Sequence, residues 1–202
     1  RLLYRRPLEE AKLKQLVADA NMAAGKLKDF YGGLEVVLEG MLLSPEVLYV
    51  EERAEPDPQH PGHQRLDAYS LASRLSMFLW NAAPDDVLLD AAKTGEIQTP
   101  RGRARIVDTM LKSPKLEAGV RAFFVDFLGF AQFDELAKDP VIYPTFNAKV
   151  AKDAEEQTLR TIVDELVTRD GDYRDLFTTR RTFMTRALGI VYRVPVKAET
   201  GW

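Results

Sequence analysis

Apolar residues recur at intervals of three and four along most of the 202-residue chain. One form of punctuation cuts these runs, a small hydroxyl residue followed by proline. Ser44-Pro45, Thr99-Pro100 and Ser113-Pro114 each stand where one helical pattern ends and another begins. A serine or threonine oxygen accepts a bond from an orphan N–H at a helix start. Proline suits the first helical position because it has no N–H to lose there. Short segments with a 3.6-residue period, closed and reopened in this way, point to a helix-on-helix architecture. The punctuation recurs, but no sequence repeats at a fixed period.

The individual segments follow from that pattern. Leu8 to Phe30 reads as a first helix, opened by Pro7, with Glu9 and Glu10 at its positive end. Gly32 and Gly33 mark a break, and Leu34 to Leu43 reads as a second helix. A helix restarts at Pro45 and runs through Val50. Glu55 to Gln64 holds three prolines and a glycine, which argues for a loop without regular structure and a subdomain boundary. Leu66 to Trp80 is the clearest helix, with Ala68, Leu71, Ala72, Leu75, Phe78 and Leu79 as its inward stripe. Asp67, Ser70, Ser73 and Arg74 take the other side. A short helix runs from Pro84 to Ala92, then Arg101 to Leu111 and Leu116 to Phe130. The aromatic face of the last is expected to form much of the core. Asn147 caps a long helix to Val167, Thr182 to Leu188 is a last helical segment, and Ile190 to Val194 reads as extended. The expected fold is all-α, an irregular multi-helix bundle. A small N-terminal helical hairpin (1–53) and a proline-rich linker (54–65) lead to a main bundle (66–202), truncated at its C-terminus, on which the hairpin packs.

Composition narrows the function classes. The net charge is -3 with 29% charged residues of mixed sign, so there is no electrostatic case for nucleic acid or an anionic membrane. There are no cysteines, which removes disulfides, thiolate catalysis and covalent haem attachment within this chain. The greasiest region, Leu34 to Val50, is interrupted by Glu35, Glu39, Gly40, Ser44, Pro45 and Glu46, so no membrane span is expected. No signal peptide is visible, and the start at Arg1 and stop at Trp202 read as cuts.

Candidate chemistry is sparse. His60 and His63, the only histidines, form a weak metal pair on the proline loop; an exposed, solvated pair is the alternative. Glu155 shares a helix face with Ala151, Leu159, Ile162 and Leu166, and is the weak catalytic candidate as an acid of raised pKa. Its structural alternative is an ion pair with an arginine at the rim of the core. The Glu-x-x-His pattern of bundle metal sites is absent, so no metal is expected at that seam. Arg180, Arg181, Arg186 and Arg193 form a basic end, set against Asp170, Asp172 and Asp175. Tyr69, Phe78, Trp80 and Tyr143 are either an aromatic pocket for sugar or haem, or core. No nucleophile-elbow, phosphate-loop or dinucleotide-binding pattern occurs.

Two stretches resemble known families. Tyr4-Arg5-Arg6-Pro7-Leu8 with Glu9-Glu10, leading to Leu43-Ser44-Pro45-Glu46-Val47-Leu48-Tyr49, resembles the domain-of-unknown-function family numbered 1595. From Leu66 onward, Ala72-Ser73-Arg74-Leu75-Ser76, Phe78-Leu79-Trp80 and Pro84-Asp85 resemble the family numbered 1592, which follows it in planctomycete-type, cytochrome-associated multidomain proteins. The resemblance implies a protein exported from bacteria, periplasmic or secreted, with c-type haem in missing segments or a partner chain and none in this one. It implies as partners the remaining domains of the same protein or a cytochrome-containing chain. Arg74, Trp80 and Tyr143 are weak cofactor-binding candidates; Arg74 and Trp80, with Asp85, are family landmarks that also have structural readings: Arg74 ties its helix to a carboxylate, Trp80 closes the core at a helix end, and Asp85, after Pro84, caps the next helix. The leading functional expectation is a helical scaffold or docking module of an exported, haem-linked redox protein. The alternative is part of an oxidoreductase or hydrolase with a site between helices. A docking role predicts large exposed apolar patches.

Overall fold

A computed structural model describes residues 1–133, 135–197 and 202. The chain forms two compact units, Arg1–Lys112 and Ser113–Trp202. The fold is all-α apart from one two-stranded ladder among the described residues.

In the first unit, α1 (Glu10–Leu27) and α2 (Phe30–Leu42) form a helical hairpin. The expected break at Gly32-Gly33 is displaced. The chain turns instead at Lys28, in the left-handed region at φ 54°, and the Asp29 carboxylate caps α2 by accepting from the Tyr31 N–H. Gly33 is the buried residue of α2 and serves the packing of the pair. A Cβ there would lie 2.6 Å from Ala24 Cβ and 2.7 Å from the Ala20 carbonyl oxygen, so glycine lets the two backbones approach. A four-residue helix, α3 (Pro45–Leu48), follows; Ser44 stands at its start, with its hydroxyl donating to Glu46.

The proline-rich stretch is not irregular, as the sequence had suggested. Its ends pair as β1 (Ala54–Pro56) and β2 (Gln64–Leu66), antiparallel, with Glu55 opposite Arg65. Proline is tolerated because it sits at the end of a two-stranded ribbon, where its missing N–H interrupts no ladder. The hairpin lies inside the first unit.

The core of that unit is built from α4 (Ala68–Trp80), α5 (Asp86–Lys93), the 3-10 turn Glu96–Gln98 and α6 (Pro100–Leu111). Ala72, Trp80, Leu88, Ile97, Ile106 and Met110 are buried together there, with Leu71, Leu75 and Leu79 against them. The caps expected at Asp85 and Thr99 form, accepting from the Leu88 and Gly102 N–H groups. Phe78, expected inside, is 74% exposed, while Ser70 and Ser73 on the supposed outer face are buried, as is Ser76. Small hydroxyl side chains let neighbouring backbone and the arginines described below come close to α4, and Ser73 returns its hydrogen to the Tyr69 carbonyl.

The second unit contains α7 (Leu116–Phe127), the 3-10 turn Phe130–Phe133, α8 (Ala148–Val163) running on into a π turn at Asp164–Thr168, the 3-10 turn Tyr173–Phe177, and α9 (Arg186–Tyr192). Phe124, Phe130, Leu159 and Ile162 make its core. The wide aromatic face expected of α7 is only partly inward: Phe124 is buried, whereas Phe123 and Phe127 are 55% and 62% exposed. Ile190 to Tyr192, expected to be extended, belong to α9, and Gly189 lies within that helix because Val194 and Val196 fold back over it.

Replacing Gly33 by alanine should destabilise the chain by about 1–3 kcal/mol despite the gain in helix propensity, because the added methyl meets backbone. Gly40→Ala in the same helix, with open space around it, should stabilise by up to about 1 kcal/mol. Urea denaturation of both variants checks this; a Gly33→Ala variant as stable as Gly40→Ala would refute the close approach.

Candidate functional site

The most densely bonded polar cluster of the first unit grows from its N-terminal segment. Tyr4 is buried, and Arg5 takes a left-handed backbone conformation at φ 56°. That turn directs the Arg5 guanidinium at the end of α3, where it donates to the carbonyls of Glu46 (2.7 Å), Val47 (3.1 Å) and Tyr49 (2.5 Å). A helix of four residues leaves its last carbonyls without internal partners, and a cation with a planar fork of donors satisfies several at once. Burial, with the neighbouring charge of Arg6 adding to it, lowers the Arg5 pKa from its ordinary value.

Arg6 reaches the other way. Its guanidinium donates to Asp67 Oδ2 at 3.0 Å and to the Ser70 hydroxyl oxygen at 3.2 Å. Asp67 also caps α4, with Oδ1 accepting from the Ser70 N–H at 2.6 Å, and the Ser70 oxygen accepts from the Arg53 N–H at 2.8 Å. Burial raises the pKa of the Asp67 carboxyl, but the bonds from the Ser70 N–H, the Ser70 hydroxyl and Arg6 outweigh it and hold the group below its usual value. Lys12 lies 4.7 Å from the Tyr4 ring centroid and pairs with Glu46, whose pKa that bond lowers. A partly open hollow of about 110 Å³ is lined by Arg5, Arg6, Lys12 and Arg53 together with Glu9, Glu46 and Glu51. The cluster bonds the hairpin to α4 and holds charge of both signs at a small polar hollow.

The second unit carries a buried polar line along α8. Asp153 accepts from the Thr185 hydroxyl (2.7 Å) and from Lys149 (3.0 Å). Gln157 donates to the Phe183 carbonyl (2.6 Å) and accepts from the Tyr192 hydroxyl (3.3 Å). Glu165 accepts from Arg181 (2.8 Å). These three are 8%, 6% and 6% exposed, so their partners are needed to offset desolvation. Together they fasten the segment from Arg181 to Tyr192 onto α8. Thr185 also caps α9 through the Leu188 N–H.

The sequence candidates fall around these clusters. Glu155 is half-buried and lines an open hollow of about 370 Å³ with Lys152, Asp153, Glu156, Arg160 and Trp202. Its neighbour Glu156 makes the arginine pairing: Arg121 forks onto it at 2.9 and 3.2 Å, and Arg160 joins at 2.7 Å. Burial pushes the Glu156 carboxyl up, and the two arginines more than reverse it. Arg160 in turn stacks on the Trp202 ring at 4.9 Å. Arg74 forms a forked bond with Glu52 at 2.7 and 2.5 Å. The Trp80 indole N–H donates to the Met110 carbonyl at 3.1 Å. Tyr143 sits in the second unit on a loop, 53% exposed, with Lys138 5.9 Å from its ring centroid. The His60 and His63 rings stand 6.3 Å apart in the turn between β1 and β2, and His60 Nδ1 lies 2.8 Å from Asp57 Oδ2. Among the described residues, no group of three or more His, Cys, Asp and Glu side chains is arranged to hold a metal ion. Of the basic end, Arg181 is the arginine drawn into the α8 line.

Arg5, Asp153, Gln157 and Glu165 are not among the candidates that the sequence offers for chemistry. The signal for two of them was present: Asp153 and Gln157 are four apart on the face that also carries Val150 and Ala151.

Residues 66–194 match the family model described as PSD4, protein of unknown function (DUF1592), a match that takes in parts of both units. No curated protein and no solved structure matches the chain.

Arg5→Lys should destabilise by about 1.5–3 kcal/mol, because an ammonium cannot span three carbonyls set for a fork. Thermal melts read it, and an unchanged melting temperature would show that the fork contributes nothing. A pH dependence follows from Asp67. Its folded pKa lies below the unfolded value, so its stabilisation is complete above the unfolded pKa and is lost as pH falls through the folded one. Asp67→Asn should cost most at neutral pH, with the gap from wild type closing on acidification below about pH 4. Urea melts across that range measure the gap; a constant one would contradict the lowered pKa.

Proposed function

The chain belongs to the PSD4 family of unknown function (DUF1592), and on that premise we propose that it is a helical docking module, a scaffold that holds other segments or chains in place. The observation that carries this reading is apolar surface left open on α1, α2, α3 and α7. No residue of α1 is buried, and Gly33 alone is buried in α2. Phe30, Tyr31, Leu38 and Leu42 are each more than half exposed, and Leu43, Leu48 and Tyr49 continue the surface. In the second unit Phe123 and Phe127 stack at 5.7 Å and 9°, and Tyr173 and Phe177 meet edge to face, all four substantially exposed. Contiguous surface of this kind marks interaction sites in soluble domains, and aromatic anchors of this sort dominate binding energy where they become buried.

The setting we propose is an exported redox protein linked to c-type haem. In it, residues 1–53 are the preceding 1595-type domain, and the partners are further domains of the same protein or a cytochrome chain. The haem belongs to those partners. The chain has no cysteine for thioether attachment, and its two histidines stand on an exposed turn, so its own residues are assigned positioning of partners alone. The even balance of charge supports protein partners over nucleic acid, and no helix among the described residues is long and apolar enough to cross a membrane.

Hydroxyl-radical footprinting tests the reading. Phe30, Tyr31, Phe123, Phe127 and Phe177 should be modified readily in this chain alone and protected severalfold in the complete protein or its native assembly. Equal modification in both would remove the docking role. A visible spectrum of the same complete protein tests the setting: a Soret band that sharpens on reduction is expected. A featureless spectrum, with haem loss during preparation excluded, would remove the haem-linked part.

A further inference from the structure

We propose that the exposed face of α2 receives a basic amphipathic helix, one whose apolar stripe is edged by lysine or arginine. The proposal rests on the docking reading and supplies the chemistry of the partner. Phe30, Leu34, Leu38 and Leu42 recur at every fourth position of α2 and are 64%, 39%, 54% and 53% exposed, so they form one open row. Tyr31, Glu35 and Glu39 form the adjoining row. Gly33, against α1, lies on the opposite side, so the partner helix of the hairpin leaves both rows uncovered.

Along the segment that carries that face the charge has one sign. From Asp29 to Glu52 the chain has six carboxylates and no lysine, arginine or histidine, although the remaining residues carry a positive excess. Four of the six are engaged. Asp29 caps α2, and Glu46, Glu51 and Glu52 pair with Lys12, Arg53 and Arg74. Glu35 and Glu39 remain, exposed, four residues apart, and without an ion pair among the described residues. Like charges at that spacing destabilise an isolated helix. Cations from outside, laid along the row, turn that local cost into attraction and fix the register of the apolar contact. A second copy of this chain, set face to face, brings the same carboxylates against each other. An anionic lipid surface is repelled in the same way.

The test titrates the chain into two fluorescent helical peptides with the same leucine stripe, one flanked by lysines and one by glutamates, and reads anisotropy at low salt. The lysine-flanked peptide should bind about tenfold tighter. That preference should shrink at high salt and reverse in an E35K/E39K variant whose circular dichroism matches wild type. Equal affinity for both peptides overturns the charge assignment and leaves docking intact. A lysine-peptide affinity unchanged in E35K/E39K shows that the peptide sits elsewhere and also overturns it. So does sedimentation of the chain with phosphatidylglycerol vesicles in the absence of peptide binding. Loss of footprinting protection at Phe30 and Tyr31 in the complete protein is the separate failure of the docking reading itself.

Discussion

Three carbonyls at the end of a four-residue helix have no partner within it, and one buried guanidinium provides for all of them. Arg5 reaches Glu46, Val47 and Tyr49 because its own backbone turns through the left-handed region, a conformation that costs a non-glycine residue about 1–2 kcal/mol. The strain is held by what lies on either side. Tyr4 is buried before it, and after it Arg6 is bonded to Asp67 and Ser70. Without that anchor α3 is too short to persist, since helix nucleation is unfavourable and so few residues offer little propagation. The position of the α1–α2 hairpin on α4, and so the direction in which its open face points within the first unit, follows from this cluster.

The second unit solves a related problem with the opposite materials. The segment after residue 180 buries Leu188, and α8 with its π turn fixes it further through Asp153, Gln157 and Glu165, each matched to a hydroxyl, carbonyl or guanidinium. Buried polar pairs of this kind contribute little net stability compared with an apolar core, but they accept only one register. The aromatic residues that an apolar solution could have used, Phe123 and Phe127, face outward instead.

How far the sequence could be read depends on the range of the forces involved. Helix starts were legible wherever a side chain satisfies an N–H two or three residues away: Asp85, Thr99 and Asn147 cap as their patterns indicate. Helix faces were less legible. Phe78 and Phe127 stand at inward spacing yet are exposed, because periodicity counts apolar residues without knowing which neighbour arrives to cover them. Gly33 looked like a break and is a contact, a distinction set by another helix. The proline-rich stretch hid a ladder because pairing Ala54 with Leu66 is a relation between residues, invisible in either alone. Around the candidate sites, Glu155 is half-buried on the helix that also carries buried Ala151, Leu159 and Ile162, and the pairing with Arg121 belongs to its neighbour Glu156. Arg5 could not be singled out from sequence, since its partners are backbone atoms more than forty residues away.

That separation bears on how the chain is made. Residues 4 to 6 leave the ribosome well before anything they bind. The α3 carbonyls follow 41 to 44 residues later, and Asp67 and Ser70 follow 61 and 64 residues later. Closing loops of that length carries an entropic cost that grows slowly with their size, so it is the waiting that matters more than the distance. During synthesis the first helical pair emerges with its arginines still hydrated and its leucine row uncovered. It cannot be fastened until α4 has begun to appear. For that interval the nascent hairpin offers the surface that a partner would later occupy, and a partner or chaperone present at the exit site meets it before the rest of the fold exists.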